Sequence, residues 1–94
     1  MYAVRIEHPV PTYDSWKQAF DSDPVGRAKS GVRYYRIMRP LDKPNHVMID
    51  LEFATLQQAE TFLAAMRAVW NRVEGSVMTN PQAQIVEIIE SKAY

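Results

Sequence analysis

The stretch His46-Val-Met-Ile-Asp-Leu-Glu-Phe53-Ala-Thr55-Leu-Gln-Gln58-Ala-Glu-Thr-Phe62-Leu-Ala-Ala-Met66-Arg-Ala-Val-Trp70-Asn-Arg-Val73-Glu-Gly75 changes its hydrophobic period partway along, and that change decides the fold. As far as Phe53 the period is two: Val47, Ile49, Leu51 and Phe53 alternate with His46, Met48, Asp50 and Glu52, as in a strand with one face buried. Beyond Thr55 the period becomes helical, with Leu56, Ala59, Phe62, Leu63, Met66, Val69, Trp70 and Val73 on one apolar stripe. Thr55-x-x-Gln58 is a capping box, in which each side chain satisfies the other residue's free amide, and Gly75 is placed to end the helix. A strand thus runs directly into a long amphipathic helix.

Working outward, Val32-Arg-Tyr-Tyr-Arg-Ile-Met-Arg39 is rich in strand formers, and Pro40-Leu-Asp-Lys-Pro44-Asn45 joins it to the strand at 46–53 as a hairpin. Upstream, Thr12 to Phe20 reads as a short helix with Thr12 as N-cap and Tyr13, Trp16 and Phe20 on one face. Asp21-Ser-Asp-Pro24 ends that helix and can open a second short turn, with Asp23 as N-cap and Gly31 beyond its end. Residues 2–8 form a first strand, with Tyr2, Val4, Ile6 and His8 pointing one way, and Pro9-Val-Pro11 stops it. Gln84-Ile-Val-Glu-Ile-Ile89 supplies the last strand.

The order β-α-β-β-α-β over residues 1–94 implies a single α+β domain of ferredoxin-like architecture: a four-stranded antiparallel sheet with both helices on one face. The helix-covered face is expected to carry Val4, Ile6, Val47, Ile49, Leu51, Phe53, Val86 and Ile88. The opposite face is expected to carry Arg5, Glu7, Arg33, Tyr35, Ile37, Met48, Asp50, Glu52, Ile85, Glu87 and Ile89. A solvated sheet face is mostly polar, whereas this one mixes apolar groups with charges of both signs, which suits a twofold partner. Size argues the same way, because a domain this small has a thin stability margin and commonly adds a disulfide, a metal or a second subunit. The chain has no cysteine and no visible ligand cluster, so a homodimer through the open sheet face is expected.

Composition removes several functions. Eleven basic and eleven acidic side chains cancel, so no net field draws the chain onto nucleic acid or an anionic membrane. Without cysteine there is no thiolate zinc site, iron–sulfur cluster or cysteine nucleophile. No segment has the length and apolarity of a membrane helix, and Met1 to His8 lacks the apolar core of a secretion signal, so the expected location is cytoplasmic. Phosphate loops, zinc-protease helices and nucleophile elbows are absent, so neither a metal nor a cofactor is expected. An RNA-recognition sheet would need glycine and stacking aromatics on the third strand, which here ends in the inward-facing Phe53.

Three segments carry a resemblance: His8-Pro-Val-Pro11-x-Tyr13-x-x-Trp16-Lys17, Phe20-Asp-x-Asp-Pro24-x-Gly26-Arg27 and Met48-x-Asp50-Leu-Glu-Phe53. With the element order they resemble the dimeric α+β barrel superfamily, which includes antibiotic-biosynthesis monooxygenase-like proteins and small bacterial proteins with a loose cyclase label. The resemblance implies a dimeric barrel and a ligand in the cleft between sheet and helices. It carries no catalytic motif.

In that cleft the candidate catalytic residues are His8, which exchanges protons near neutral pH, and Arg36, which can hold a carboxylate or enolate. Arg36 lies under the helices only if Val32, Tyr34, Arg36 and Met38 share the inner side. Tyr13, Trp16, Tyr34 and Trp70 are the candidate substrate-binding residues, aromatic walls that serve equally well as core. The acid-free segment Pro24–Leu41, with Arg27, Lys29, Arg33, Arg36 and Arg39, reads as an anion site or as one half of structural ion pairs. Two functions remain open. One is binding, with cofactor-free monooxygenase- or cyclase-like conversion, of a small aromatic or polyketide-like molecule. The alternative is a non-catalytic ligand-binding or dimerisation module.

Overall fold

The computed structural model describes residues 1–73 and 78–94. Six elements follow in chain order: β1 (Tyr2–Pro9), α1 (Tyr13–Asp21), β2 (Tyr34–Met38), β3 (His46–Phe53), α2 (Leu56–Val73) and β4 (Gln82–Glu87). The strands form one antiparallel sheet in the order β2-β3-β1-β4, the ferredoxin-like arrangement expected from the sequence. Strands β1 and β3 are central and buried along their inner face, with Val4, Ile6, Val47, Ile49, Leu51 and Phe53 all at most 6% exposed.

Local chemistry sets the helix ends. Thr12 has extended backbone (φ −143°, ψ 147°), and its hydroxyl accepts the Ser15 amide at 3.2 Å, as an N-cap should. At α2 both halves of the capping box form: the Gln58 amide donates to the Thr55 hydroxyl at 3.1 Å and the Thr55 amide donates to Gln58 Oε1 at 3.3 Å. Ala59, Phe62, Leu63 and Trp70 turn inward, while Leu56, expected on the stripe, opens the helix and stays exposed. Gly75 lies outside the described residues.

The segment after α1 forms hydrogen-bonded turns, in line with the short turn expected there. Asp23 takes left-handed backbone (φ 53°), unlike an N-cap, and its carboxylate accepts the Arg27 amide at 2.8 Å. Successive turns then close from the amides of Ser30, Gly31 and Val32 to the carbonyls of Gly26, Ala28 and Arg27.

Register corrects the expected faces of the two edge strands. Tyr34, Arg36 and Met38 lie opposite Glu52, Asp50 and Met48, so they share the open face, and Tyr35 and Ile37 turn toward the helices. In β4, Ile85 lies opposite Val4 and Val86 opposite Ala3, which puts Ile85 inward and Val86 outward, the reverse of expectation. Ile88 and Ile89 fall beyond the strand. The reason is the same in both cases: each alternate set of these strands mixes apolar with polar groups, so pattern does not select a phase, and a one-residue shift exchanges the faces.

The open face is mixed as expected, with partly different members. Arg5 pairs with Asp50 at 2.9 Å, His46 stands 3.3 Å from Glu7, and the Tyr34 hydroxyl donates to Glu52. Met38, Met48 and Val86 lie among these charges, all partly exposed.

Candidate functional site

The cleft between the sheet and the two helices holds a cavity of about 220 Å³. Its walls are apolar: Trp16 and Phe20 from α1, Ile49 and Leu51 from β3, Phe62 and Trp70 from α2. Helical spacing places the aromatic groups there. Trp16 and Phe20 are one turn apart, with ring centres at 5.1 Å, and Trp70 follows Phe62 by eight residues on the inward stripe of α2. The rings surround the space without filling it.

Arg27, read from the sequence only as one member of the basic segment 24–41, lines the same cavity. Its guanidinium carbon sits 4.0 Å above the Phe20 ring centre and 5.2 Å from that of Tyr35, whose own ring meets Phe20 edge-on at 5.0 Å. Nη1 donates to the Phe20 carbonyl at 2.8 Å and stands 3.6 Å from the Asp23 carboxylate. The side chain is 17% exposed, so this charge is largely held in the fold. The sequence signal was the segment Phe20-Asp-Ser-Asp23-Pro-Val-Gly26-Arg27. A left-handed Asp23 and a left-handed Gly26 (φ 79°) turn the chain back on α1 and lay Arg27 over the last ring of that helix.

The candidates from sequence divide into three groups. Trp16 and Trp70, 4% and 5% exposed, line the cavity. His8 and Tyr13 flank Trp16, each ring centre 5.9 Å from the indole, and neither lines the cavity. Tyr34 and Arg36 are on the open face and cannot reach the cavity of their own chain, which corrects the cleft expected from sequence.

His8 is 2% exposed, at the inward end of β1. A carbonyl only accepts, so the 3.0 Å contact of Nδ1 with the Pro9 carbonyl places the ring proton on Nδ1. Burial of the ring lowers its pKa, opposed by the hydrogen bond to Pro9, and the charge of His46 adds a smaller depression. His8 is therefore a neutral imidazole behind the Trp16 indole. The two histidines face opposite sides of the sheet, and among the described residues no group of three metal-ligating side chains stands together.

No protein-family model matches the chain, and no curated protein matches it. Solved structures do. A protein of unknown function from Nitrosomonas europaea superposes with a TM-score of 0.75 at 15% identity, over 99% of this chain and 93% of that one. SnoaB, a cofactor-independent oxygenase from Streptomyces nogalater, gives 0.72 at 12% identity over 96% and 94%. A dimeric ferredoxin-like protein from an uncultured marine organism gives 0.68 at 10% identity over 97% of each chain. The chain has the ferredoxin-like fold of these proteins, the fold that the resemblance implied.

Proposed function

We propose that this chain binds a small aromatic molecule in the cavity between sheet and helices, and does so as a homodimer joined through its open sheet faces. The observation that carries the reading is the cavity itself: about 220 Å³, aromatic where the two helices line it, with one guanidinium held over an aromatic ring of its wall. Apolar walls with a few fixed polar groups are how proteins hold small ligands. The dimer is supported by the mixed open face and by the dimeric description of a protein sharing the fold.

Cofactor-free conversion of the ligand is a second reading, supported by the shared fold with an oxygenase and by the neutral imidazole of His8 beside Trp16. Against a direct role, His8 does not line the cavity, and Asp23 is the one carboxylate on the lining among the described residues. Binding is therefore the primary reading.

Native mass spectrometry of the purified protein, followed by aerobic incubation with hydroxylated naphthalenes, tests both readings. A dimer that carries such a molecule and returns it unchanged is the expected result. Recovery of an oxidised product in metal-free, flavin-free buffer moves the weight to conversion. A protein that retains and binds no aromatic molecule overturns the binding reading.

A further inference from the structure

We infer that the cavity selects an anionic ligand, a flat one- or two-ring aromatic acid whose carboxylate is received by Arg27 with Arg72 nearby. The inference rests on the binding reading above and names the ligand class of that site. Three observations carry it. Charge is the first. Among the described residues the ionisable groups on the cavity lining are Arg27, Arg72 and Asp23, so cations outnumber anions two to one. Asp23 accepts the Arg27 amide at 2.8 Å and stands 3.6 Å from its Nη1, so after this pairing the lining keeps one positive charge in excess.

The second observation is the state of the Arg27 guanidinium. Its carbon lies 4.0 Å over the Phe20 ring centre, and among the described residues its hydrogen bond runs from Nη1 to the Phe20 carbonyl. Nε and Nη2 donate to no described residue, yet no fully enclosed side-chain nitrogen or oxygen lacks a partner. These two nitrogens are therefore reachable. A stacked guanidinium with its edge free is the donor geometry that matches a carboxylate through two parallel hydrogen bonds. Arg72, in the last turn of α2, adds a second positive charge on the lining.

The third observation is size. An apolar cavity of about 150 Å³ takes up benzene in another protein. The present cavity of about 220 Å³ has room for one or two fused rings.

Isothermal titration calorimetry with three acids and their primary amides tests this: benzoate, 2-naphthoate and anthracene-2-carboxylate. Each amide has the shape of its acid and no charge. The wild-type protein is expected to bind 2-naphthoate at least about tenfold tighter than 2-naphthamide, a difference of about 1.4 kcal/mol, and tighter than the three-ring acid. Arg27→Met keeps the packing stem over Phe20 and removes the charge, and is expected to bring acid and amide within about twofold of each other, within the uncertainty of about 0.4 kcal/mol. Arg27→Lys should restore part of the preference. Equal wild-type affinity for acid and amide overturns the inference while leaving the cavity reading intact. So does a preference that survives in both Arg27→Met and Arg72→Met, with melting temperature confirming that each is folded. Failure of all six compounds to bind overturns the cavity reading itself, and the two failures are thereby distinguishable.

Discussion

At the scale of single residues, His8 is the side chain whose protonation the fold opposes. Its ring is enclosed at the end of β1, against Trp16, and burial is the largest influence holding its pKa below the ordinary histidine value of 6.5. Above about pH 6.5 the ring is neutral in both the folded and the unfolded chain, so it adds no pH dependence. Below that value the unfolded chain takes up a proton that the buried ring refuses until stronger acid. Stability from this group is therefore full above the unfolded pKa and is lost as pH falls through the depressed folded value. Urea unfolding between pH 7.5 and 5 should show a falling midpoint, and His8→Gln should flatten that slope even if it lowers stability throughout. An equal slope in the variant would assign the acid sensitivity to other groups. Trp16 and Trp70 were legible as cavity residues because helical periodicity fixes which way a side chain points. Arg27 was legible only as part of a basic run, because its position depends on two left-handed residues whose turn no periodicity encodes.

Among the elements, α2 and the central strands could be read directly, and the edges could not. β3 alternates without ambiguity and α2 carries its own start signal, so His46–Phe53 and the Thr55–Gln58 cap appear as expected. Over residues 32–39 both alternate sets hold aromatic or aliphatic groups beside arginines, and an edge strand has a neighbour on one side only. Its phase is settled by pairing with β3, a nonlocal contact, and that pairing moves Tyr34 and Arg36 out of the expected cleft while bringing Tyr35 against Phe20. The cap of α2 allows a quantitative check. Thr55→Ala removes the acceptor for the Gln58 amide and should cost about 1 kcal/mol, which for a domain of this size lowers the melting temperature by roughly 4–8 °C. Thr55→Ser keeps the hydroxyl and should stay close to wild type. Differential scanning calorimetry of both variants would decide it, and equal loss in the two would show that the hydroxyl bond is not what holds the first turn.

For the whole molecule, the decisive surface is the one with no helices on it. The sheet presents this face across a body measuring 34 × 31 × 19 Å, broad enough for an ordinary interface of about 800 Å² per partner. Arg5–Asp50 pairs within the chain and His46 stands 3.3 Å from Glu7, so part of the polar surface of this face is already partnered. What remains to be covered is the apolar part: Tyr34, 52% exposed, with Met38 and Met48 directly paired across β2 and β3. In the proposed homodimer these groups would form the dry centre and the ion pairs the rim, the usual division of an interface. Met48→Glu places a charge at that centre, opposite Glu7 on the neighbouring strand, and its side chain points away from the core. It should therefore dissociate the dimer while leaving each chain folded. Sedimentation of the variant is expected to give the monomer mass, with an unchanged far-ultraviolet spectrum and a melting temperature lower than wild type, because a partner that binds only the folded chain stabilises it by mass action. Wild type should melt higher as its concentration rises and the variant should not. A wild-type protein that sediments as a monomer at micromolar concentration, or a Met48→Glu protein that remains dimeric, would overturn the homodimer through this face.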